Sequence, residues 1–480
     1  MNTRHEEKVK ELQKQIQAQK EPTALNLDNN PSNTTRSKSY KDHCTPLDLS
    51  SLNHIIKIDP EKRIAIVEPR VTMEKLVKAT RDYGLMPPVV PEFKGITVGG
   101  AIMGGAAESA SDRWGSFNDT CIAYELICGD GSLLRATPTE NSDIFYGITG
   151  SYGSLGAIVL IEIQLVPVKE FVHLKYHTFS KPLDAIKHLR QLIHQPDSPD
   201  FLDGIIFSNH KAVIIEGTLE HTPQNLPVFS TKPLGAEWYF QHVKSLTCKD
   251  ARKEEAMPYQ DYLFRYDQGA FWMGSYLLRL PLLHRFIFNG IYQNASTNTF
   301  TEAQIKDLCK VHSPNLLSRI LLSPIMTCKR LWKLLHLAEK WVQNNVIIQD
   351  LCIPENNAGS FLEEILKDPG TFPIWLCPVK GTREPQIFSP HLLPPNSSDT
   401  HFINFGIYGL PAYYGSISKI TKMLEDKTIA HNGRKVMYSR NYYSEKEFWK
   451  IYSRDAYESL RAHTHSKGTW HTITDKLLSE

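Results

Sequence analysis

Apolar residues recur at helical spacing near the start of the chain, inside a charged and Gln-rich segment that spans residues 5–20. Val9, Leu12 and Ile16 form one thin apolar stripe there, which predicts an amphipathic helix. The polar surface is much larger than this stripe. We therefore expect a solvated N-terminal helix rather than a coiled coil that binds a partner.

A hairpin and a second helix are predicted next. The runs IIKID and RIAIVEP within residues 55–69 alternate in polarity around a polar turn, which predicts two antiparallel strands. A helix then begins after Thr72, whose side chain suits the N-cap position, and ends at Gly84. Two strands followed by a helix and a Gly-rich segment indicate an α+β domain.

Past residue 168 the chain becomes richer in aromatic and basic residues, which places a domain boundary near residue 170. An antiparallel sheet is predicted from the segments Gly204–Ser208, Ala212–Glu216 and Trp238–Gln241. A helix is predicted over Pro182–His194. Further strands are predicted over Thr120–Cys128, Ala157–Val166, Val346–Pro354, Phe372–Pro378 and Ile403–Tyr408.

Length and composition limit the function classes. The 480 residues suit two or three domains, and contents of 41% apolar and 22% charged residues are ordinary for a soluble globular protein. A net charge of +2 gives no support for a nucleic-acid partner. The eight cysteines show no C-x-x-C spacing, and His463 and His465 fit an exposed helix end better than a metal site. We predict free thiols, no metal site and a cytoplasmic location.

Membrane association is open at this point. The N-terminus has no apolar core, and no uninterrupted apolar run reaches about 18 residues, so we predict neither a signal peptide nor a transmembrane helix. Two runs, 264–288 and 316–341, mix aromatic residues and leucines with Lys and Arg, which fits peripheral insertion at a membrane surface. A buried domain core with basic ends is the favoured alternative. The oligomeric state is left open.

The densest glycine pattern lies between Thr97 and Gly131. It begins with Thr97-Val98-Gly99-Gly100, and a second glycine pair follows at Gly104-Gly105. Such glycines let the backbone approach a ligand closely, and exposed N–H groups can face an anion. A mobile surface loop is the alternative. It is outweighed by the ordered sum of P-x-x-x-x-x-T-V-G-G, a small-residue run, a G-x-x-x-D step, a strand and an Asp-Gly turn.

This sum resembles the FAD-binding domain of the vanillyl-alcohol oxidase superfamily. The stretch IMGGAAESASDRWGSFNDTCIAYELICGDGSLLRATPTENSDIFYG is similar to the corresponding part of the Δ24-sterol reductase family, with the same M-G-x-x-x-E-S-x-S, A-Y-E-L and T-P-x-E-N-S-D-x-F-Y. FPIWLCP and the segment after residue 433 are similar to that family as well. The match is specific because it is long and ordered.

The resemblance implies an α+β fold with a two-subdomain, PCMH-type FAD-binding domain and an α+β cap (substrate) domain built on an antiparallel sheet. The implied division is a polar N-terminal helix at 1–21, the FAD-binding domain at 22–170, the cap domain at 171–432 and a C-terminal segment, 433–480, that returns to the FAD domain. The residues expected to bind FAD are Thr97, Val98, Gly99, Gly100, Ala101, Ile102, Met103, Gly104, Gly105, Ala106, Ala107, Glu108, Ser109, Gly115, Gly156 and Ile158.

The flavin is expected to be noncovalent. In the superfamily the first diphosphate loop falls near residues 29–36, which here contain neither glycine nor a histidine for covalent attachment. No cysteine lies between Pro91 and Ile96, where the other attachment occurs. Ser, Thr and Asn of 29–36 can still bond phosphate, and Arg36 can pair with it. A disordered linker is the competing interpretation of this segment.

The resemblance implies reduction of a C=C bond in the side chain of a sterol by NAD(P)H through flavin N5, with a protein acid or water as the proton source. Candidate proton donors are Tyr438, Arg440 and Tyr442, for which packing is an equal alternative, and Glu108, for which a structural role is preferred. Other open functions are reduction of another isoprenoid alkene, oxidation of a polyol or lactone, and flavin or lipid binding without turnover.

Animal members of the family carry an N-terminal membrane anchor. Because no apolar run opens this chain, we expect a soluble or peripheral protein.

Overall fold

The computed structural model describes residues 3–19, 24–27, 34–36, 39–42, 44–247, 253–277, 313–337, 339–411 and 416–478. Up to residue 170 the strands are β1 (Leu25–Leu27), β2 (Thr45–Leu47), β3 (Ile55–Asp59), β4 (Ile64–Val67), β5 (Leu85–Met86), β6 (Cys121–Ile127), β7 (Leu133–Ala136), β8 (Ala157–Gln164) and β9 (Val166–Pro167). The helices of this part are α1 (Thr3–Gln17), α2 (Met73–Arg81), α3 (Val98–Gly104), α4 (Ser111–Trp114) and α5 (Ser142–Gly147), with 3-10 turns at Ser39–Lys41 and Phe117–Thr120.

A five-stranded antiparallel sheet with the order β3-β4-β8-β6-β7 is the centre of this part. The predicted hairpin of β3 and β4 is confirmed. Helix α2 follows it, and the Thr72 side chain accepts a hydrogen bond from the Lys75 amide at 3.3 Å, as an N-cap does. The helix ends at Arg81, three residues before the predicted end, because the left-handed Gly84 (φ 66°) belongs to the turn beyond it.

Helix α1 is not the solvated helix that the sequence predicts. Its stripe of Val9, Leu12 and Ile16 is buried against an apolar cluster that includes Leu47 and Trp470. Covering even a thin apolar stripe with another apolar surface stabilises the folded state. The helix therefore packs on the body of the protein, and its polar face alone meets solvent.

Beyond residue 170 the strands are β10 (Phe171–Phe179), β11 (Phe201–Ser208), β12 (Lys211–Glu220), β13 (Glu254–Pro258), β14 (Ile347–Pro354), β15 (Ile374–Lys380), β16 (His401–Gly409) and β17 (Arg434–Lys435). The helices are α6 (Pro182–Ile193), α7 (Tyr239–Ser245), α8 (Tyr259–Leu263), α9 (Gly274–Leu277), α10 (Leu316–Leu322), α11 (Cys328–Leu337), α12 (Glu339–Asn345), α13 (Ala358–Lys367), α14 (Ile417–Ala430), α15 (Glu445–Ile451), α16 (Arg454–His463) and α17 (Ile473–Leu478).

These strands form an eight-stranded antiparallel sheet with the order β13-β10-β12-β11-β15-β16-β14-β17. Successive side chains of a strand point to opposite faces. On β15, Ile374 and Leu376 pack in the cluster that also holds the apolar faces of α6, α13 and α14. Trp375 and Cys377 face the other way, into the larger core shared with the N-terminal part. The sheet therefore has one helix-covered face and one face toward the site.

One predicted strand is wrong. Trp238–Gln241 does not join the sheet, because Tyr239 begins helix α7 and Trp238 precedes it. The buried residues Tyr239, Phe240 and Val243 have the spacing of one helix face. The aromatic run has strand propensity, and the helical burial pattern overrides it.

The C-terminal segment contacts the N-terminal part. Arg461 of α16 donates a hydrogen bond to the Ser154 carbonyl at 2.8 Å, and Ser466 donates to the Leu155 carbonyl at 2.8 Å. The predicted α+β class is confirmed, and the exact domain limits stay a prediction. Within the described ranges, no helix has both the length and the apolar character that crossing a bilayer requires.

Candidate active site

A cavity of about 470 Å³ lies between helix α3 and the site-facing side of the eight-stranded sheet. Thr97 and Gly104 belong to its wall on the N-terminal side. Trp375 and Tyr408 belong to the opposite wall, contributed by β15 and β16. Because both parts of the protein build it, the cavity is the candidate functional site.

The Gly-rich segment is a short helix rather than a mobile loop. Thr97 caps α3 by accepting a hydrogen bond from the Gly100 amide at 3.2 Å. A Cβ added to Gly99 would lie 2.8 Å from Cβ of Pro69, so this glycine permits close packing of the helix on the loop before α2. A Cβ added to Gly104 would meet no protein atom within 4 Å, so this glycine leaves space open in the cavity wall.

Most of the residues expected at the cofactor line this cavity. They are Thr97, Gly99, Gly100, Ala101, Met103, Gly104, Gly105, Ala106, Ala107 and Ile158. Val98 and Ile102 lie instead in the core beneath α3, because a helix turns these positions away from its cavity face.

Gly115 and Gly156 also lie outside the lining among the described residues. A Cβ on Gly115 (φ 77°) would lie 2.4 Å from Oδ2 of Asp119, and one on Gly156 (φ 145°) would lie 2.6 Å from the Ile127 carbonyl oxygen. Both glycines therefore allow tight local packing of this part of the protein.

Glu108 and Ser109 lie behind the cavity wall. Glu108 is buried, and it accepts hydrogen bonds from the Ser109 hydroxyl at 2.8 Å and the Val90 amide at 3.3 Å. Burial raises the pKa of Glu108 to about 7, although these hydrogen bonds and the nearby Arg265 favour the charged form. The contacts fit the structural role preferred for Glu108 from the sequence.

A second acidic residue, which sequence reasoning missed, lines the cavity. Glu92 is buried, and its Oε1 atom has no hydrogen-bond partner among the described residues. Burial, followed by the charge of Glu108, raises the pKa of Glu92 well above its usual range. The only sequence signal is an acidic residue directly after the apolar run of residues 85–91.

One end of the cavity is cationic. Arg36 and Lys41 line it, and Nη1 of Arg36 is buried without a hydrogen-bond partner among the described residues. The Arg36 guanidinium stacks over the Tyr152 ring at 4.4 Å from its centroid. Lys476 approaches from the C-terminal segment and donates to the Gly153 carbonyl at 2.8 Å. Residues 29–33 of the expected diphosphate loop lie outside the described ranges, whereas Thr34 and Arg36 are at the cavity.

A buried carboxyl group joins the sheet to the C-terminal segment. Asp350 of β14 accepts hydrogen bonds from the Tyr408 hydroxyl at 2.7 Å, the Asn404 amide at 2.7 Å and the Tyr438 hydroxyl at 2.8 Å. All four side chains line the cavity. Burial raises the pKa of Asp350, whereas the three hydrogen bonds act in the opposite direction. The sequence signal for this cluster is a lone acidic residue inside the apolar run VIIQDLCIP.

The other two candidate proton donors are elsewhere. Arg440 donates to Oε1 of Gln343 at 2.9 Å, and the Tyr442 amide donates to the Glu425 carboxylate at 3.1 Å. Neither is among the described residues that line the cavity, because the backbone after Tyr438 turns toward α12 and α14. Of the three residues, the structure brings Tyr438 alone to the site.

An ionic network supports the aromatic wall. Oδ2 of Asp203 accepts hydrogen bonds from Arg265 at 2.9 Å, Tyr266 at 2.9 Å and the Trp375 indole at 3.1 Å. The Arg265 guanidinium also lies 3.9 Å from the Tyr262 ring centroid. The Asp203–Arg265 pair is fully buried, so its partners hold each other in place and fix the Trp375 indole at the cavity.

Comparisons with known proteins identify sequences that this chain resembles. A family model described as an FAD binding domain matches residues 3–137. The Δ24-sterol reductase of Homo sapiens is 28% identical over 98% of this chain and 86% of its own length. That of Arabidopsis thaliana is 28% identical over 89% of this chain and 75% of its own, and a Caenorhabditis elegans homologue is 25% identical over 91% and 80%.

The chain is a homologue of the Δ24-sterol reductases. The resemblance seen in the sequence is therefore confirmed, together with the oxidoreductase class and an FAD-binding domain. The residues at the cavity of this homologue fit FAD. Arg36, whose Nη1 atom has no hydrogen-bond partner among the described residues, lines the cavity together with Lys41, and two cations suit a diphosphate. The open space at Gly104 admits a flat ligand against the helix.

Proposed function

We propose that this protein reduces a C=C bond in the side chain of a sterol, with noncovalent FAD as cofactor and NAD(P)H as electron donor. The observation that carries the proposal is the pair of unlike walls of one cavity. The α3 wall is built from glycines and alanines next to the cations Arg36 and Lys41. The opposite wall presents Phe271, Trp375 and Tyr408, which suit a rigid apolar ligand.

The expected FAD contacts divide between the two ends of the cavity. The backbone from Thr97 to Ala107 would line the flavin, and Thr34, Arg36 and Lys41 would hold the diphosphate by charge-assisted hydrogen bonds. Attachment would be noncovalent, since residues 91–96 contain no cysteine and 29–36 no histidine. When bound, FAD supplies a centre that accepts a hydride from NAD(P)H and gives a hydride to an alkene carbon.

The protein itself supplies orientation, exclusion of water and a proton. The aromatic wall would hold the sterol against the cofactor face and keep water out of the reaction. Tyr438 is better suited to positioning than to proton donation, because its hydroxyl hydrogen already points at Asp350. Burial and the Asp350 charge raise the pKa of Tyr438 well above its usual range, which makes it a weak acid.

Access from a membrane surface fits the same cavity. Leu316, Leu317, Leu321 and Ile325, here called the leucine patch, are between 49% and 66% exposed. Helix α11 follows the patch and carries the exposed cations Lys329, Arg330 and Lys333, while its Trp332 lines the cavity. Exposed leucines beside cations suit an anionic bilayer, in which sterols dissolve.

The other run predicted to insert into a membrane spans residues 264–288. Its residues 278–288 lie outside the described ranges, and Phe264, Arg265 and Trp272 are buried.

The test is anaerobic mixing of the FAD-supplemented protein with NADPH and then with desmosterol, a sterol whose side chain holds a C=C bond. We expect NADPH to bleach the flavin absorbance, the sterol to restore it, and the product to gain two mass units. Bleaching without recovery would contradict the sterol substrate and favour another alkene. A protein that retains no flavin would contradict the FAD site and favour lipid binding without turnover.

A further inference from the structure

Of the acidic residues named above, Glu92 is the one that lines the cavity and has a carboxyl oxygen without a hydrogen-bond partner among the described residues. Its side chain lies in the loop that precedes α3, and the residue is 6% exposed. Oε1 is buried and meets no hydrogen-bond donor among the described residues. An unpartnered buried carboxyl oxygen is costly in an apoprotein, which indicates that a ligand group belongs beside it.

The surroundings of this carboxyl group favour its protonated form. Burial is the largest cause of its raised pKa, the charges of Glu108 and Asp203 add to it, and Arg265 acts in the opposite direction. Among the described residues, the charge of Glu92 also affects the pKa values of Cys377 and Tyr408. Both pKa values are raised well above the usual range, so both side chains stay neutral. The fold therefore favours the neutral form of Glu92, as in other active-site carboxyl groups held in apolar surroundings.

We propose that Glu92 is the proton donor for the alkene, an assignment that rests on the proposed function. In the step, the π bond of the alkene breaks. One carbon gains a hydride with its electron pair, which derives from NAD(P)H. The neighbouring carbon gains the proton of Glu92, whose O–H electron pair stays on the carboxylate. The carboxylate then takes a proton from water, which restores the acid.

Glu92 is a better donor than the other polar groups of the wall. An isolated alkene is weakly basic, so a carboxylic acid transfers a proton to it far more readily than a phenol does. Asp350 already accepts three hydrogen bonds, and its two tyrosine partners direct their hydrogens toward it. Glu92 has no such partners at Oε1 among the described residues, so that oxygen can face a substrate carbon.

The decisive experiment compares the FAD-loaded wild type with Glu92→Gln, which keeps the shape and removes the acidic proton. We expect sterol reduction to slow by about 10²- to 10⁴-fold, the usual contribution of a general acid. Flavin bleaching by NADPH should fall far less. Glu92→Asp, which keeps an acid on a shorter side chain, should recover part of the rate even if Glu92→Gln folds poorly. Equal sterol rates in wild type and Glu92→Gln would overturn the assignment.

Two readouts separate this assignment from the proposed function. In the infrared difference spectrum of wild type minus Glu92→Gln holoprotein at pH 7, the C=O stretch of one neutral carboxylic acid should remain, whatever the substrate, because the other buried carboxyl groups are common to both proteins. Its absence from the difference spectrum would overturn the assignment. Glu108→Gln removes a charge that raises the Glu92 pKa, so the alkaline limb of the pH–rate profile should move to lower pH. An unmoved limb would mean that another group supplies the proton.

Failure of the proposed function gives a different result. A wild type whose flavin is bleached by NADPH but which reduces no sterol would reject the proposed substrate, and the infrared spectra would still decide the protonation state of Glu92.

Discussion

Tyr438 donates a hydrogen bond from its hydroxyl to Oδ2 of Asp350 at 2.8 Å, and this bond ties the start of the C-terminal segment to β14, next to the edge strand β17 of the eight-stranded sheet. The other carboxyl oxygen of Asp350 accepts from Tyr408 and Asn404 of the neighbouring strand. Three segments that are distant in sequence therefore meet at one buried carboxyl group in the cavity wall. Positioning of the substrate side of the cavity depends on that group.

Tyr438→Phe tests this positioning role. The change removes one donor to a buried carboxyl group, so we expect the free energy of unfolding to fall by about 1–3 kcal/mol and KM for sterol to rise more than kcat falls. Urea unfolding and steady-state kinetics measure the two effects. Tyr452→Phe is the matched control, because that hydroxyl is buried without a hydrogen-bond partner and outside the cavity lining of the described residues. A loss of kcat with unchanged KM would assign Tyr438 to the chemistry instead.

Gly104→Ala should weaken FAD binding without weakening the fold. The added methyl group would meet no protein atom within 4 Å and would occupy cavity space. Ala is also favoured over Gly in a helix by about 0.5–1 kcal/mol, so we expect the melting temperature of the apoprotein to stay or rise while the Kd for FAD increases at least tenfold. Fluorescence titration with FAD measures the affinity.

Gly359→Ala is the control for that substitution. Gly359 lies in α13, a Cβ there also meets no atom within 4 Å, and the residue is outside the cavity lining. It should raise the melting temperature in the same way and leave FAD affinity unchanged. Equal FAD affinities in the two variants would mean that the flavin does not lie against Gly104.

Local patterns make much of the N-terminal part predictable. The β3–β4 hairpin and the Thr72 cap depend on neighbours in sequence, and both are found where the sequence places them. The Gly-rich segment is also located correctly, yet its helical form escapes prediction because so many glycines weaken helix propensity. Capping by Thr97 and packing of Gly99 on Pro69 outweigh that cost.

Contacts distant in sequence explain what sequence reasoning misses. Asp350 reads as one polar residue in an apolar strand, and its role depends on Tyr408 and Tyr438, which are 58 and 88 residues away. Glu92 gains its raised pKa from a fold that buries it beside Glu108. The periodicity of apolar residues carries no information on contacts between side chains that are distant in sequence. Resemblance to a family suggests Tyr438, Arg440 and Tyr442 alike as proton-donor candidates, and of these three the structure places Tyr438 at the cavity.

Lys476 predicts a pH dependence of stability. Burial, Arg36 and Lys41 lower its pKa from the ordinary 10.5 to about 7 in the folded apoprotein. Between these two pH values the unfolded state holds the extra proton, so the free energy of unfolding must rise with pH. The rise is at most about 1.4 kcal/mol per pH unit. Below pH 7 both states are protonated, so the free energy of unfolding no longer changes with pH through this group, and the cost of burying its charge is fully present.

Urea unfolding of the apoprotein at pH 7 and pH 9 measures this effect. We expect the wild type to gain about 2 kcal/mol between these values relative to Lys476→Met, which has no proton to lose. Lys467→Met, an exposed lysine of the same segment, should follow the wild type. Parallel curves for wild type and Lys476→Met would show that Lys476 keeps its proton in the fold.

The last prediction concerns the leucine patch. The double variant Leu317→Glu/Leu321→Glu places two charges where the wild type exposes leucines at 66% and 62%. Burial of a leucine contributes about 1.5–3 kcal/mol, so losing two such contacts and adding repulsion from anionic lipid should lower vesicle binding by at least tenfold. Flotation with phosphatidylcholine–phosphatidylserine vesicles measures binding. Leu133→Glu, at an exposed leucine of β7 in the N-terminal part, should float like the wild type. If the wild type stays at the bottom of the gradient even with anionic vesicles, the patch is no membrane contact. Sterol would then have to reach the cavity from a soluble carrier.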